Sequence, residues 1–150
     1  MAKKFKFKLE AMLKYRQMLE DGKKREFALA NAAVAEKHRQ AEALSAERAD
    51  LVESLRGMTA NGAINMQTLT GTIRSIGNLE MGAASARQEE EKMRAAMEGV
   101  RQAFIGARRD KRVVELLKEK KQTAHRQAVE KETQKELEEI SLRVLGKKSS

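Results

Sequence analysis

The sequence predicts an all-α protein: a long antiparallel two-helix coiled-coil hairpin with unequal arms. Three observations carry this expectation. The 150 residues contain no Pro, Cys or Trp, and only 3% are aromatic while 35% are charged. Such a chain lacks the bulky side chains that usually fill a compact core, and its Ala, Leu, Glu, Lys and Arg favour long helices. Apolar residues then recur in alternating steps of three and four, the 3.5-residue period of a coiled coil. Finally, the chain is punctuated strongly only once in its middle, at the run GMTANGAIN over residues 57–65.

Taken in order, the chain opens with Lys4, Phe5, Lys6, Phe7 and Lys8 in alternation. This would suit a strand, but no partner strand follows, so residues 1–8 are expected to form an irregular arm. Helix 1 is expected over about residues 8–58. Its stripe runs through Ala30, Val34, Ala41, Leu44, Leu51, Leu55 and Met58, with Lys37 and Arg48 in the intervening seam slots. Leu9, Leu13, Leu19 and Phe27 form a less regular start around Arg16 and Lys23. Charges near a seam weaken it and set register or partner choice. Gly57, Asn61 and Gly62 are turn formers, which places the hairpin tip at 59–65. Asn65 is suited to cap the helix that follows.

Helix 2 is expected over about residues 66–145, ended by Gly146 and followed by the tail Lys147–Ser150. Leu69, Ile73 and Ile76 begin its stripe, Leu79 and Ala83 continue it, and Ala86, Met93, Met97, Val100, Phe104, Ala107, Val114 and Leu117 complete it. Met93 and Met97 read as seam fillers. Gly71, Gly77, Gly82, Gly99 and Gly106 weaken this helix, which therefore needs a neighbour or is pliable. At 1.5 Å per residue the arms span roughly 75 and 120 Å. Pairing Met58 with Met66 sets Leu9 opposite Val114 to Leu117, where the stripe fades. The sequence thus reads as one coiled-coil domain, 1–150, with a charged overhang from about residue 118. The stretch Arg108 to Ile140 is too polar to bury itself, so it is a solvated spacer or half of an interface.

Nothing in the sequence favours catalysis or a cofactor. His38 and His125 are far apart and flanked by charges, which suits solvated surface residues. No His or Cys stands at metal-ligand spacing among the Glu residues, so no metal is expected. Phosphate-loop and dinucleotide motifs are absent. The net charge of +9 predicts attraction to acidic surfaces. Nucleic acid is not the expected partner: the RRDKR run at 108–112 has its apolar heptads on the wrong side for a leucine zipper and no interleaved aromatics for stacking. No run approaches the roughly 18 apolar residues of a membrane span, and the N-terminus lacks the apolar region of a secretory signal. The expectation is a soluble, cytoplasmic binding protein. A basic DNA- or membrane-associated coiled coil and a structural spacer are the alternatives.

The opening FKFKLEAMLKYRQMLEDGKKREFA and the later RRDKRVVELLKEKKQTAHRQAVEKETQKELEEI resemble the two ends of the FliJ family, a soluble component of the bacterial flagellar type III export apparatus. The resemblance implies a two-helix coiled coil similar to that in the gamma subunit, the rotary stalk, of F-type ATPases. It implies a non-enzymatic protein in the central hole of the hexameric export ATPase, promoting ring assembly and activity. The same resemblance implies links to the membrane export gate and to export chaperones, with peripheral association at the inner membrane. The ATPase-facing residues would be Arg108, Arg109, Lys111, Arg112, Glu115, Lys118, Lys120 and Lys121. Leu69, Ile73 and Ile76 would correspond by position to the gate-binding surface. The Gly-rich middle and the weakly apolar first helix depart from the family pattern.

Overall fold

The computed structural model describes residues 4–62 and 64–148. Two helices, α1 (Glu10–Ala60) and α2 (Met66–Lys148), pack against each other as a helical hairpin, with no strand among the described residues. The packing follows a seven-residue repeat without a break. Every residue reached in steps of three and four from Leu13 to Leu55, and from Leu69 to Lys118, is shielded from solvent. Only a side chain that returns to the same face every two turns can stay in such a seam.

Each helix end has an identifiable cause. The Glu10 amide donates to the carbonyl of Phe7 at 3.2 Å, so α1 starts just after the basic arm. The Thr59 hydroxyl lies 3.0 Å from the carbonyls of both Leu55 and Arg56, satisfying groups of the last turn. Gly62 then adopts φ +67°, a left-handed geometry open to Gly at little cost. The Asn65 side chain accepts the Gln67 amide at 3.0 Å and caps α2. Gly146 does not end α2. It lacks the positive φ of a helix-terminating glycine, and the helix continues to Lys148. Of the expected tail, Ser149 and Ser150 lie outside the described residues.

The chain divides into two compact units: Gly22–Phe104, which contains the tip, and Met1–Asp21 with Ile105–Ser150. In the tip unit Val34, Ala41, Ala83 and Ala86 are buried. Phe27 and Phe104 lie nearly parallel, with centroids 6.2 Å apart. Small residues at the seam bring the helices close, yet among the interior glycines of α2 only Gly82 faces the other helix. A Cβ there would lie 3.6 Å from Leu44, whereas at Gly71, Gly77 and Gly99 it would meet nothing. Close approach therefore accounts for one of these glycines and not for the others.

In the unit containing the termini, Phe7 and Val114 are buried. Glu10 pairs with Lys118 at 2.8 Å, and the Phe5 ring lies 5.6 Å from His125. These contacts correct two expectations. Glu10 sits opposite Lys118, so the register is displaced from one that sets Leu9 against Val114 to Leu117. The basic arm then continues the pairing beyond the start of α1, so α2 does not stand alone from residue 118. Residues 130–148 of α2 are exposed throughout. Phe5 and Phe7 explain the difference: their apolar rings lie along α2, where a purely polar arm would remain in water.

Candidate functional site

The eight polar residues expected to face a partner do come together, but they divide into two groups. Lys111 is turned into the seam and forms an ion pair with the half-buried Glu20 at 2.6 Å. The hydrogen bond from Lys111 to Glu20 holds its ammonium above the usual lysine range, against the effect of burial. Arg112 reaches Glu115 at 3.2 Å and Glu119 at 3.4 Å, and Lys118 reaches Glu10. Lys111, Arg112, Glu115 and Lys118 are thus engaged within the chain. Arg108, Arg109, Lys120 and Lys121 are exposed, and their charges are open to solvent.

Arg108, Arg109 and Arg112 line an open groove floored by Glu20, Ile105, Lys111 and Glu115. The seven-residue frame explains the clustering. Arg108 and Glu115 fall beside the seam on one flank, Arg112 is one position further out, and Lys111 is in the seam itself. This arrangement offers planar, multiply donating guanidinium groups to an acidic surface. It is too open to exclude water, and it holds no nucleophile with an adjacent base, so nothing in it suits covalent chemistry. No group of three or more acidic or histidine side chains is suited to hold a metal among the described residues.

The stripe expected at the other end of α2 is split. Leu69 and Ile76 occupy seam slots and are partly shielded, but the seam slot between them belongs to Thr72. Ile73, one residue later, is 54% exposed. A step of three from Leu69 and four to Ile76 keeps the seven-residue phase; the reverse order moves Ile73 to the flank.

The i,i+4 spacing of Glu90 and Arg94 predicts a pair that supports the helix locally, but its place in the seam was not foreseen. Glu90 occupies a seam slot and is only 8% exposed. Its carboxylate accepts from Arg94 Nη2 at 2.8 Å and from His38 Nδ1 at 3.0 Å. The Arg94 hydrogen bond holds the Glu90 carboxyl below its usual range despite partial desolvation. Next to it, Lys37 pairs with Glu89 and lowers that carboxyl as well. Arg48 pairs with Glu80 at 2.9 Å, leaving its buried Nε without a hydrogen-bond partner. His38 is exposed, as expected of a surface histidine, and reaches the polar layer from outside; His125 is half-buried against Phe5. The available signal was positional: a glutamate falls on the seam phase four residues past Ala86.

A sequence model described as Flagellar FliJ protein matches residues 5–150. No curated protein and no solved structure matches the chain.

Proposed function

The chain belongs to the flagellar FliJ family and so is a component of the flagellar export apparatus, and from that premise we propose that it docks its basic groove on the hexameric export ATPase and promotes ring assembly and activity. The carrying observation is the pair Arg108 and Arg109: they border the groove, they are exposed, and their charges are open to solvent. A mobile docking surface needs charges that are not already satisfied at home. Lys120 and Lys121 extend the positive surface along α2. Lys111 and Lys118 have the supporting role of holding the two helices in register, while Arg112 and Glu115 pair within α2. Contacts of this kind steer association and weaken with salt.

In this reading the protein is not itself an enzyme, and it needs neither cofactor nor metal. It works in the cytoplasm at the inner membrane of the flagellar base, and none of its described helices is long and apolar enough to cross a membrane. It links the ATPase to the export gate and to export chaperones. The gate contact then rests on Ile73, because Leu69 and Ile76 serve the seam. The experiment is ATP hydrolysis by the purified export ATPase with added protein. Arg108→Glu with Arg109→Glu should reduce the stimulation about tenfold or more, as expected for two exposed charge-assisted contacts. Helical content should stay unchanged. Undiminished stimulation by this double variant sinks the assignment.

A further inference from the structure

The unit that contains the termini has a second face, on the flank opposite the basic groove. Arg16 marks that flank by reaching across the seam to Asp110 at 3.4 Å. Along it, the positions beside the seam hold Met12 and Leu117, the next positions outward hold Tyr15 and Val113, and Leu116 follows. These side chains are apolar and open to solvent: Met12 is 40% exposed, Tyr15 56%, Val113 66% and Leu116 49%. The pairing of Glu10 with Lys118 and of Arg16 with Asp110 sets the two helices antiparallel here. That register brings Met12 level with Leu116 and Tyr15 level with Val113. The result is exposed apolar side chains from both helices on one flank.

Single exposed apolar residues need no explanation, but a contiguous patch on two helices does. The rim of this one is cationic. Lys8, Arg109 and Lys120 surround it and are exposed. The whole unit has 19 basic and 11 acidic side chains, which is +8 of the protein's net +9. A second copy of the chain would bring the same positive excess against this face. Charge complementarity instead selects an acidic occupant.

We propose that this face receives an amphipathic α-helix from a partner protein, seating its apolar stripe on Met12, Tyr15, Val113 and Leu116 and its flanking carboxylates against Lys8, Arg109 and Lys120. An apolar face shared by two helices suits a third helix, read through anchors at helical spacing. This face shares Arg109 and Lys120 with the basic surface, but Met12, Tyr15, Val113 and Leu116 lie outside the groove, so changes at these four test this face separately from ATPase docking.

Tyr15 makes the test direct, because it is the chain's one tyrosine and the chain has no tryptophan. Two synthetic helical peptides of about 20 residues, both free of tyrosine and tryptophan, share one leucine stripe. One carries glutamates beside the stripe and the other lysines. Titrated into the full-length protein, the glutamate peptide should saturate a change in Tyr15 fluorescence, with the lysine peptide at least about tenfold weaker. Val113→Glu with Leu116→Glu should lose at least about tenfold of that affinity while far-UV circular dichroism stays unchanged. Equal binding of both peptides, no saturable change, or full affinity in the double variant overturns the proposal. A dimer in sedimentation equilibrium that Val113→Glu dissolves overturns it too, by making a second copy the occupant.

Discussion

The two units share one seven-residue repeat and use charge in opposite ways. The tip unit has 12 basic and 11 acidic side chains, and the unit with the termini has 19 and 11. Near the tip, charges inside or beside the seam are matched across it: Lys37 with Glu89, His38 with Glu90, Arg48 with Glu80. Near the termini some are matched in the same way, but Arg108, Arg109, Lys120 and Lys121 remain turned to solvent. The lesson is that polar residues in a thin seam do two different jobs. Matched pairs select one register at some cost in stability. Unmatched ones are available to something outside the chain.

The strongest challenge to this contrast is a charge with no match in the tip unit. Val34 is 4% exposed. Val34→Asp should cost about 3 kcal/mol, the order expected for burying an unpaired polar or charged group. The midpoint of thermal unfolding followed by circular dichroism measures the loss. The same change at exposed Val113 should cost well under about 1 kcal/mol, and equal losses would break the contrast between closed seam and open face.

A smaller effect separates structural from docking charges within one unit. Lys111→Met leaves Glu20 shielded without its ammonium partner and should cost about 1–3 kcal/mol. Replacing both residues by Leu should recover that loss, since a buried ion pair is often no more stabilising than apolar side chains of similar volume. Chemical denaturation of the wild type, the single variant and the double variant reads out the pattern. If Lys111→Met is silent in stability, Lys111 belongs with Arg108 and Arg109.

The mildest test is acid. Glu90 and Glu89 have carboxyl groups held below the ordinary 4.5 by hydrogen bonds from Arg94 and Lys37 respectively. A folded-state value below the unfolded one means the unfolded chain binds protons first as pH falls. Their stabilisation is therefore fully present above the ordinary carboxylate value and is lost as pH drops through the lowered one. Glu90→Gln should make the acid side of the stability curve shallower and leave its neutral plateau flat. A steeper acid side in the variant would reverse the sign of the proposed coupling.

Much of the fold was legible because helix propensity and periodicity are local. The absence of Pro, the alternation of three and four, and the turn formers Gly57, Asn61 and Gly62 announce two helices and one reversal. The phase at Val34, Ala41, Ala83 and Ala86 was legible for the same reason. Ile73 was harder, because Thr72 and Ile73 both stand within reach of a stripe, and hydrophobicity alone favours the residue that the repeat turns outward. The seam position of Glu90 was missed for the mirror-image reason: it keeps the phase but breaks the hydrophobic pattern.

By itself, then, the sequence determined the number of helices, the seven-residue period, the place of the reversal and the concentration of positive charge toward the two ends of the chain. Each follows from interactions within a few residues or from simple composition. Only the tertiary structure decided the register, and the register decided everything that depends on distance across the seam. It set Glu10 against Lys118, bound Lys111 to Glu20 and left Arg108 and Arg109 outside. It also brought Tyr15 level with Val113. A shift by one heptad keeps the same stripe facing inward while exchanging every ion-pair partner across the seam, so no local pattern contains that information; it belongs to the sum of side-chain contacts along both helices.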